Sequence, residues 1–300
     1  MVSEPSLSLI VPISRMAGRL DPLFSWTNKA MVSGLQILWI HDIQDDSTSS
    51  ELHQFKKDHV GSLHLLEGHY GSPGAARNEG LNLVDTKYFA FADSDDELFV
   101  EELLINLEKL KMSTAKILVA PFNLKDSKTG KVKCISAQVY GNKFYSEIAY
   151  RTGIWRFIFL TEFFDKMRFE TTLLGEDQIF ILKAIQRSGE PIRGERCHYS
   201  YLINQQTQAT NNKNISSELL RLNNITADLL SRCHTINERK LTLTFFTNQI
   251  ITVIHKLGIL AGMKQLKKNF KVLRNSKSSI PFFLLQFTKL SIVRVRGVID

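Results

Sequence analysis

Short apolar runs alternate with segments of helical periodicity along the first part of the chain. The runs at 6–11, 36–40, 63–66 and 88–92 are β-prone, and Pro12 is expected to stop the first of them. In the segment 19–32 the apolar residues are spaced like one face of a helix. Strands and helices that alternate in this way predict βαβ units and a mostly parallel sheet.

The pattern changes after residue 96. A helix is predicted over 97–111, and a short one through Lys57 has Ser49 or Ser50 as its cap. The apolar runs 116–120 and 132–135 flank a polar loop at 126–130, which predicts a hairpin. The aromatic-rich segment 144–169 is interpreted as core, and a wall for a substrate ring is the alternative.

The last part of the chain combines helical periodicity with positive charge. The whole chain has a net charge of +8, whereas residues 239–300 alone carry twelve Lys or Arg and one acid. That leaves +11 on this segment and −3 on the rest, which indicates an acidic partner for the tail. A helical appendage that packs on the body and a basic surface that rests on anionic lipid are both compatible with this pattern.

The N-terminus shows no signal-peptide pattern, and no run approaches the roughly 18 apolar residues of a spanning helix. The three cysteines, Cys134, Cys197 and Cys233, form no CxxC pair. They indicate neither a disulfide framework nor a zinc site, and they fit a reducing compartment. The prediction is an intracellular protein that is not integral to the membrane.

Carboxylates follow the fourth apolar run directly. Asp93 and Asp95 stand one residue apart where open α/β sheets bind ligands, and both can turn toward one hard cation. The alternative is a helix start, in which Ser94, Asp95 or Asp96 caps the helix 97–111. A second acidic segment, Gly-Glu-Asp at 175–177, opens an apolar helix that ends at Ser188-Gly189. Glu176 and Asp177 fit an ordinary helix start or a general base, and the segment alone does not decide.

Six short motifs occur in a fixed order over about residues 6–210. They are the apolar run into proline at 9–12, Ile-His-Asp at 40–42 with Ser47 and Thr48 behind it, Gly-Ala-Ala-Arg-Asn-Glu-Gly-Leu at 74–81, Phe-Ala-Asp-Ser-Asp-Asp-Glu-Leu at 91–98, Gly-Glu-Asp at 175–177 and Tyr-Ser-Tyr at 199–201. Each is weak alone. As a set they resemble the family 2 glycosyltransferases, which are inverting enzymes of the GT-A fold that use nucleotide sugars.

The resemblance implies roles for individual residues. Asp42 matches the acid that contacts the base of the nucleotide, and Arg77 matches the arginine beside the nucleotide. Asp93 and Asp95 match the metal and nucleotide motif, with Asp95 as the direct ligand of Mn²⁺ or Mg²⁺. Asp177 matches the catalytic base. The remaining matched positions are Glu176 beside the acceptor, Pro12, Ser14, Gly74 and Ser94 beside the nucleotide, and His198, either a further metal contact or a structural residue.

The fold and function implied are an α/β GT-A domain at 1–212 with a basic, mostly helical region at 213–300. The reaction implied is transfer of a sugar from a nucleotide diphosphate sugar, with UDP as the expected carrier, to a hydroxyl of a glycan or lipid-linked acceptor in surface polysaccharide synthesis. The expected partners are donor, acceptor and an anionic membrane surface at the inner face of the cell membrane, without nucleic acid.

Two departures from the family pattern touch the nucleotide pocket. Residues 13–15 lack the aromatic residue and asparagine that members often have there, and His41 stands where an acid is common. Two other functions are the alternatives: a nucleotidyltransferase, which the single glycine of 16–20 supports poorly, and a non-catalytic basic module that binds nucleic acid through the tail. A dinucleotide-binding dehydrogenase would need GxGxxG where Pro12 stands.

Overall fold

The computed structural model describes residues 5–59, 63–135, 148, 152–164, 166–172, 174–204, 215–274, 283–284 and 287. The chain forms two compact units. The first comprises 1–137, 153–171 and 187–209, and the second comprises 138–152, 172–186 and 210–300. The acidic segment 175–177 thus belongs to the same unit as the C-terminal region. The predicted boundary at residue 212 stays a prediction.

Eleven strands lie in the described part of the first unit. They are β1 Leu7–Ile13, β2 Gln36–Asp42, β3 Leu63–Gly68, β4 Tyr88–Phe91, β5 Glu97–Leu98, β6 Ile117–Val119, β7 Phe122–Asp126, β8 Val132–Ile135, β9 Phe157–Leu160, β10 Ile192–Arg193 and β11 Tyr199–Ile203. Seven of them form a sheet in the order β10-β6-β9-β4-β1-β2-β3, in which β9 alone runs antiparallel to its neighbours. The prediction of a mostly parallel central sheet is confirmed.

Helices flank this sheet and make up most of the second unit. Those before residue 165 are α1 Asp21–Val32, α2 Asp46–Asp58, α3 Pro73–Asn82, α4 Val100–Lys111 and α5 Thr161–Phe164. Those after it are α6 Glu176–Ser188, α7 Ile215–Ser231, α8 Ile236–Leu257 and α9 Ile259–Arg274. The regular alternation of strand and helix through α4 matches the prediction from hydrophobic periodicity.

The first strand does not stop at Pro12. It continues to Ile13, with Pro12 paired to Ile40 of β2, whereas its pairing with β4 ends at Ile10 and Phe91. The carbonyl of Ile10 faces β4, since it accepts a hydrogen bond from the amide of Ala92, and Pro12 has the same orientation two residues on. Because β4 has already ended there, the missing amide hydrogen of Pro12 removes no bond of the ladder.

The remaining four strands form a smaller sheet in the order β5-β11-β7-β8. The predicted hairpin exists, but it joins β7 to β8 across the loop at 126–131, and the run at 116–120 contributes β6 to the large sheet instead. The hairpin prediction was therefore wrong in its first strand. Phe122 begins a separate strand only two residues after Ala120, and the apolar pattern did not mark that break.

Two predicted helix starts were also wrong. α2 begins at Asp46 and has Asp45 as its cap, whose carboxylate accepts a bond from the amide of Thr48 at 2.6 Å. α4 begins at Val100, because residues 97–98 form β5, and its cap residue Phe99 offers no side-chain hydrogen bond. The acids at 93–96 are therefore not a helix cap.

The described aromatic residues of the segment 144–169 lie in the core, as predicted, except for Phe163, which is partly buried and packs against it. Phe157, Phe159 and Phe164 are fully buried, and Phe159 stacks on Phe89 of β4 with ring centroids 5.0 Å apart. The part of that segment at 144–147, 149–151 and 165 lies outside the described residues. Alternate side chains of a buried strand fill both layers beside the sheet, which accounts for the density of aromatic residues in β9.

The helices α7, α8 and α9 of the second unit pack around their own apolar cluster, which includes Leu230, Phe246 and Ile250. Buried amides cross this cluster: Asn223 donates to the side chain of Gln249, and Asn269 of α9 donates to Asn223. The predicted helical periodicity of the tail is confirmed over 215–274. None of the helices in the described ranges has the length and apolar character that crossing a bilayer requires.

Candidate active site

The loop 93–96 lies at the carboxyl edge of the large sheet. β1, β2, β3 and β4 are parallel, so His41 and Asp42 at the end of β2 and Asp93 after β4 follow strands that end at the same edge. Apolar residues fill β4 on both faces, and all four are buried. A strand of this kind holds its position firmly and presents the next polar residues at the edge where open α/β sheets bind ligands.

Asp96 anchors this loop to β11. One carboxylate oxygen accepts a bond from the amide of Leu202 at 2.8 Å, and the other accepts one from the hydroxyl of Tyr199 at 2.8 Å. The same hydroxyl accepts a bond from the amide of Asp93 at 2.9 Å. Asp96 is only 2% exposed, so its function in this unit is to hold the loop in place. No local pattern indicates this role, since the pairing joins residues more than a hundred positions apart.

Burial raises the pKa of Asp96 to about 8, and the neighbouring charges of Asp93 and Asp95 act in the same direction. Burial and the charge of Asp93 likewise raise the pKa of Asp95, which Arg19 partly offsets. The three carboxyl groups of this loop therefore disfavour one another's ionisation. An added cation would favour their ionised form.

Arg77, which is buried, forms an ion pair with the partly exposed Asp93. An Nη of Arg77 donates to Asp93 Oδ1 at 2.8 Å, and the guanidinium carbon lies 5.5 Å from the centroid of the Phe169 ring. Arg77 lies on α3. The N-cap of this helix is Ser72, whose side chain accepts a hydrogen bond from the amide of Ala75. The side chain of Asp93 remains 27% exposed. It is thus fixed by Arg77 and still accessible from solvent.

The donor atoms in this loop fit a hard divalent ion. Asp93 and Asp95 offer carboxylate oxygens, which Mg²⁺ and Mn²⁺ prefer, in a place that already has excess negative charge. In the described ranges, however, no group of three or more His, Cys, Asp or Glu side chains is arranged to hold a metal. An ion at Asp93 and Asp95 would therefore take its other ligands from a bound diphosphate and from water.

Asp42 shapes the turn that leads into α3. Its Oδ1 accepts bonds from the amides of Tyr70 at 2.7 Å and Gly71 at 3.3 Å. Gly71 has a φ of +73°, which a side chain would disfavour. The neighbouring His41 is buried and forms a bond with Glu67 at 3.0 Å. Asp42 therefore has a clear structural function at this edge, whatever ligand it also contacts.

The other four positions matched to the nucleotide have different surroundings. Pro12 is half-buried at the end of β1, and Ser14 is exposed just beyond it. Gly74 is buried in the first turn of α3, and Ser94 is buried within the acidic loop. All four lie near the ends of strands or helices of the first unit. The geometry defines no ligand contact for any of them.

His198 is held by bonds within the protein. Its Nε2 lies 3.0 Å from the carbonyl oxygen of Trp155, and its Nδ1 lies 3.0 Å from the side-chain amide of Asn106. The side chain is buried, and burial lowers its pKa to about 4. A neutral imidazole that donates from Nε2 and accepts at Nδ1 has no lone pair left for a metal. This geometry favours the structural alternative for His198 and leaves it out of the metal site.

The second acidic segment lies in the second unit, at the start of α6. Gly175 has a φ of +73°, and a Cβ built on it would lie 2.5 Å from Leu222 Cδ2. Gln178 accepts a bond from the amide of Gln249 at 3.0 Å. Glu176 and Asp177 are half-buried in the first turn of the helix. The segment is thus fixed on both sides of the two acids, which keep part of their surface exposed.

Comparison with known proteins identifies curated relatives that transfer sugars. The chain is 27% identical over 178 residues to the processive diacylglycerol beta-glycosyltransferase of Mycoplasma pneumoniae, covering 53% of this chain and 52% of that protein. It is 24% identical over 217 residues to the poly(ribitol-phosphate) beta-glucosyltransferase of Bacillus spizizenii, covering 66% of this chain and 32% of that protein. The chain therefore spans about half or less of the length of these relatives.

Solved structures share the fold at low identity. S. aureus TarS 1–349 in complex with UDP-GlcNAc superposes with a TM-score of 0.69 at 14% identity, over 97% of this chain and 92% of that chain. The mannosyltransferase PcManGT from Pyrobaculum calidifontis, in complex with GDP-Man and Mn²⁺, superposes with a TM-score of 0.51 at 14% identity, over 98% and 87% of the two chains. These likenesses confirm the predicted α/β architecture.

The family model described as glycosyl transferase family 2 matches residues 22–169. This range includes Asp42, Arg77, Asp93 and Asp95, which are the residues that meet or adjoin the carboxyl edge of the sheet. The motifs of the sequence, the architecture and the family match agree, and residues 22–169 are a family 2 glycosyltransferase domain.

Proposed function

We propose that the protein is an inverting glycosyltransferase that moves a sugar from a nucleotide diphosphate sugar, with UDP as the carrier, to a hydroxyl of an acceptor. The observation that carries this proposal is the acidic loop at 93–96, fixed by Arg77 and Tyr199 at the carboxyl edge of the sheet. A loop that concentrates carboxylates beside one buried arginine suits a cation-bound diphosphate better than it suits any neutral ligand.

In this proposal the first unit binds the donor. Arg77 and Asp93 hold the nucleotide, Asp42 lies beside its base, and Pro12, Ser14, Gly74 and Ser94 line its site. Asp95, with Asp93, holds Mn²⁺ or Mg²⁺. When bound, the ion supplies Lewis-acid stabilisation of the charge on the departing diphosphate. Mn²⁺ accompanies GDP-Man in the archaeal structure of similar fold, which supports the choice of metal.

Asp177 is the proposed base. The carboxylate takes the proton of the acceptor hydroxyl while the hydroxyl oxygen attacks the anomeric carbon of the donor sugar. The nucleoside diphosphate leaves from the opposite face of that carbon. One displacement of this kind inverts the anomeric configuration. Glu176, its neighbour in the first turn of α6, is assigned to positioning the acceptor. The partial exposure of both side chains and the fixed start of α6 support these roles.

The acceptor we propose is a glycan or a lipid-linked hydroxyl in surface polysaccharide synthesis. The two curated relatives described above act, by their names, on diacylglycerol and on poly(ribitol phosphate). Both are acceptors of bacterial envelopes, and one is itself a lipid. An enzyme that uses such an acceptor gains from being held at the inner face of the cell membrane.

The outer face of α9 supports that location. Leu260, Met263 and Phe270 are 83%, 60% and 51% exposed, whereas Gln265 and Asn269 on the opposite face are buried. Lys264, Lys267 and Lys268 are exposed on the same side as the apolar residues. Each lysine near an anionic surface contributes roughly 1 kcal/mol, and the apolar side chains add insertion into the interface.

A liposome experiment tests this location. Full-length protein should co-sediment with phosphatidylglycerol vesicles more than with phosphatidylcholine vesicles, and less at high salt. The triple change Lys264→Glu, Lys267→Glu and Lys268→Glu should abolish the preference. Lys56→Glu, Lys57→Glu and Lys128→Glu, which alter the charge equally on exposed residues of the first unit, should preserve most of it. Equal binding to both lipids would remove the membrane from the proposal.

The transferase itself is tested by a donor screen. Nucleotide sugars are added with Mn²⁺, Mg²⁺ or EDTA, and a bound donor should raise the melting temperature only when the metal is present. The donor that binds is then incubated with lipid and glycan acceptors, and the anomeric configuration of the product is read by NMR. Retention of configuration, or donor binding that ignores EDTA, would contradict the proposed mechanism.

A further inference from the structure

Two cysteines that are distant in sequence meet in the smaller sheet of the first unit. Cys134 lies on β8, and Cys197 precedes β11 by two residues. Their sulfur atoms are 3.2 Å apart across a sequence separation of 63 residues, and neither is in a disulfide. Cys134 is exposed and Cys197 is half-buried. The third cysteine, Cys233, is buried in the second unit and serves as an internal reference.

We propose that Cys134 and Cys197 form an oxidisable dithiol site that small-molecule disulfides convert into an intramolecular disulfide. The site does not rest on the proposed transferase activity. Two features of its geometry support it. The sulfurs are already in contact at 3.2 Å, so forming the S–S bond of about 2.05 Å requires them to approach by only about 1 Å more. The exposed sulfur of Cys134 is open to a reagent from solvent.

The reaction is a balanced thiol–disulfide exchange. The Cys134 thiolate attacks one sulfur of the small-molecule disulfide, which breaks that S–S bond and releases one thiolate. Cys197 then attacks the Cys134 sulfur of the mixed disulfide and releases the second thiolate. The two protein thiols supply two electrons and two protons, and the oxidant leaves as two thiols.

The order of the two attacks follows from exposure. Cys197 is less exposed than Cys134, and burial followed by the hydrogen bond with Cys134 raises its pKa to about 12. Once Cys134 has become a mixed disulfide, its own thiol no longer opposes ionisation of Cys197, which helps the second step. Cys134 is therefore the entry sulfur and Cys197 the resolving one.

The disulfide would link β8 covalently to the segment that precedes β11, the strand that holds the acidic loop. β8 is an edge strand of the smaller sheet and pairs only with β7 among the described strands. Cys197 stands two residues before Tyr199, whose hydroxyl joins the amide of Asp93 to the carboxylate of Asp96. A bond from β8 to Cys197 closes a long loop around this strand, which restricts the unfolded chain and strengthens the edge of the sheet.

The test uses full-length protein and oxidised glutathione. We expect titratable thiols under denaturing conditions to fall from three to one, with loss of two hydrogen atoms from the intact mass. Peptide mapping should join Cys134 to Cys197. The melting temperature should rise by at least about 2 °C and return with dithiothreitol.

Single variants sharpen the result. Cys197→Ser should stop at a mixed disulfide on Cys134, Cys134→Ser should react slowly or not at all, and Cys233→Ser should form the same disulfide as the unmodified protein. Oxidation that leaves three thiols, a disulfide between two chains, or a stable glutathione adduct on Cys134 with Cys197 present would each overturn the proposal. The thiol count and mapping are read without any activity assay, so they stand apart from the transferase test.

Discussion

The two acidic segments of this protein are held in place by different means. In the first unit, the carboxylates of 93–96 are bound by charged or ionisable partners from distant segments, namely Arg77 and Tyr199. In the second unit, the residues on either side of the acids at 176–177 make neutral contacts: Gly175 lies against Leu222, and Gln178 pairs with Gln249. One segment concentrates negative charge, and the other places its acids in the open first turn of a helix.

This difference matches the two proposed tasks. A cation site gains from carboxyl groups held close together, because a bound cation favours their ionised form. A base needs a carboxylate that stays ionised yet is held still, and the first turn of a helix favours negative charge through its amide groups. The buried amide bonds around Gln249 fix the helix without adding a charge that would alter the base.

The largest expected effect is on the base. Asp177→Asn keeps the size of the side chain and the start of α6, but the amide cannot accept the acceptor proton. We expect turnover to fall by about 100-fold to 10,000-fold while the dissociation constant of the donor stays near that of the unmodified protein. Single-turnover kinetics and calorimetry measure the two quantities. Glu176→Gln is the matched control, and it should change the acceptor KM more than the turnover.

A result in which Asp177→Asn retains turnover within a few-fold would make Asp177 a helix-start residue only. The second acidic segment would then have no catalytic task to set against the cation site of the first. The two segments would still be held in place by different contacts, because the contacts of Gly175 and Gln178 do not depend on the chemistry of Asp177.

The second prediction concerns the metal. Asp95→Ala removes one of the two proposed ligands, so Mn²⁺ should no longer strengthen donor binding, whereas in the unmodified protein it strengthens binding by about tenfold or more. Calorimetry with UDP, with and without Mn²⁺, measures this. Asp126→Ala, at a half-buried acid of the same unit outside the acidic loop, is the control. Unchanged Mn²⁺-dependent binding in the Asp95 variant would contradict the assignment.

Hydrophobic patterning was enough to predict most of the large sheet and the tail helices. The runs that became β1, β2, β3 and β4 are short and flanked by polar turns, and the acids after them lie at the edge that open sheets use for ligands. Six weak motifs in order then identified the family, which the match over 22–169 bears out. Local sequence carries these features because each depends on neighbouring residues.

The features that were missed depend on long-range contacts. The role of Asp96 depends on Tyr199, the partners of His198 come from Asn106 and Trp155, and Cys134 meets Cys197 only through the smaller sheet. The misplaced hairpin has the same origin, since β6 pairs with β9 rather than with its neighbour in sequence. No periodicity reports which strand will lie beside which. The assigned catalytic and nucleotide-binding residues stay predictions.

The third prediction uses the raised pKa of Asp96. In the folded protein the pKa of Asp96 is raised to about 8, whereas in the unfolded protein the group loses its proton near its ordinary pKa of 3.8. Between these values the folded state binds more protons, so the free energy of unfolding falls as pH rises, by at most about 1.4 kcal/mol per unit. Asp96→Asn resembles the protonated group and should lack this slope.

Urea unfolding at several values between pH 5 and pH 8 measures the slope. The advantage of the Asp96→Asn protein over the unmodified one should grow steadily across this window. Asp126→Asn is the control: hydrogen bonds from the amides of Thr129 and Lys128 lower the pKa of Asp126, so it stays ionised throughout and its difference should be flat. A flat difference for Asp96→Asn as well would show that the burial of this carboxyl has no cost in the folded state.

The smallest expected effect tests how the second segment is fixed. Gly175 and Gly189 flank α6, and both have a positive φ, of +73° and +83°. A Cβ on Gly189 would meet nothing within 4 Å, whereas one on Gly175 would lie 2.5 Å from Leu222. Gly189→Ala should therefore lower the unfolding free energy by about 1 kcal/mol, the cost of a side chain at positive φ. Gly175→Ala should lower it by about 3 kcal/mol, because the clash with Leu222 adds to that cost. The double variant Gly175→Ala with Leu222→Ala should lose less unfolding free energy than the two single variants lose in sum. The smaller side chain at 222 leaves the space that the new methyl group needs. Additive costs would show that Leu222 does not fix Gly175, and that the start of α6 is held by the bond between Gln178 and Gln249 instead.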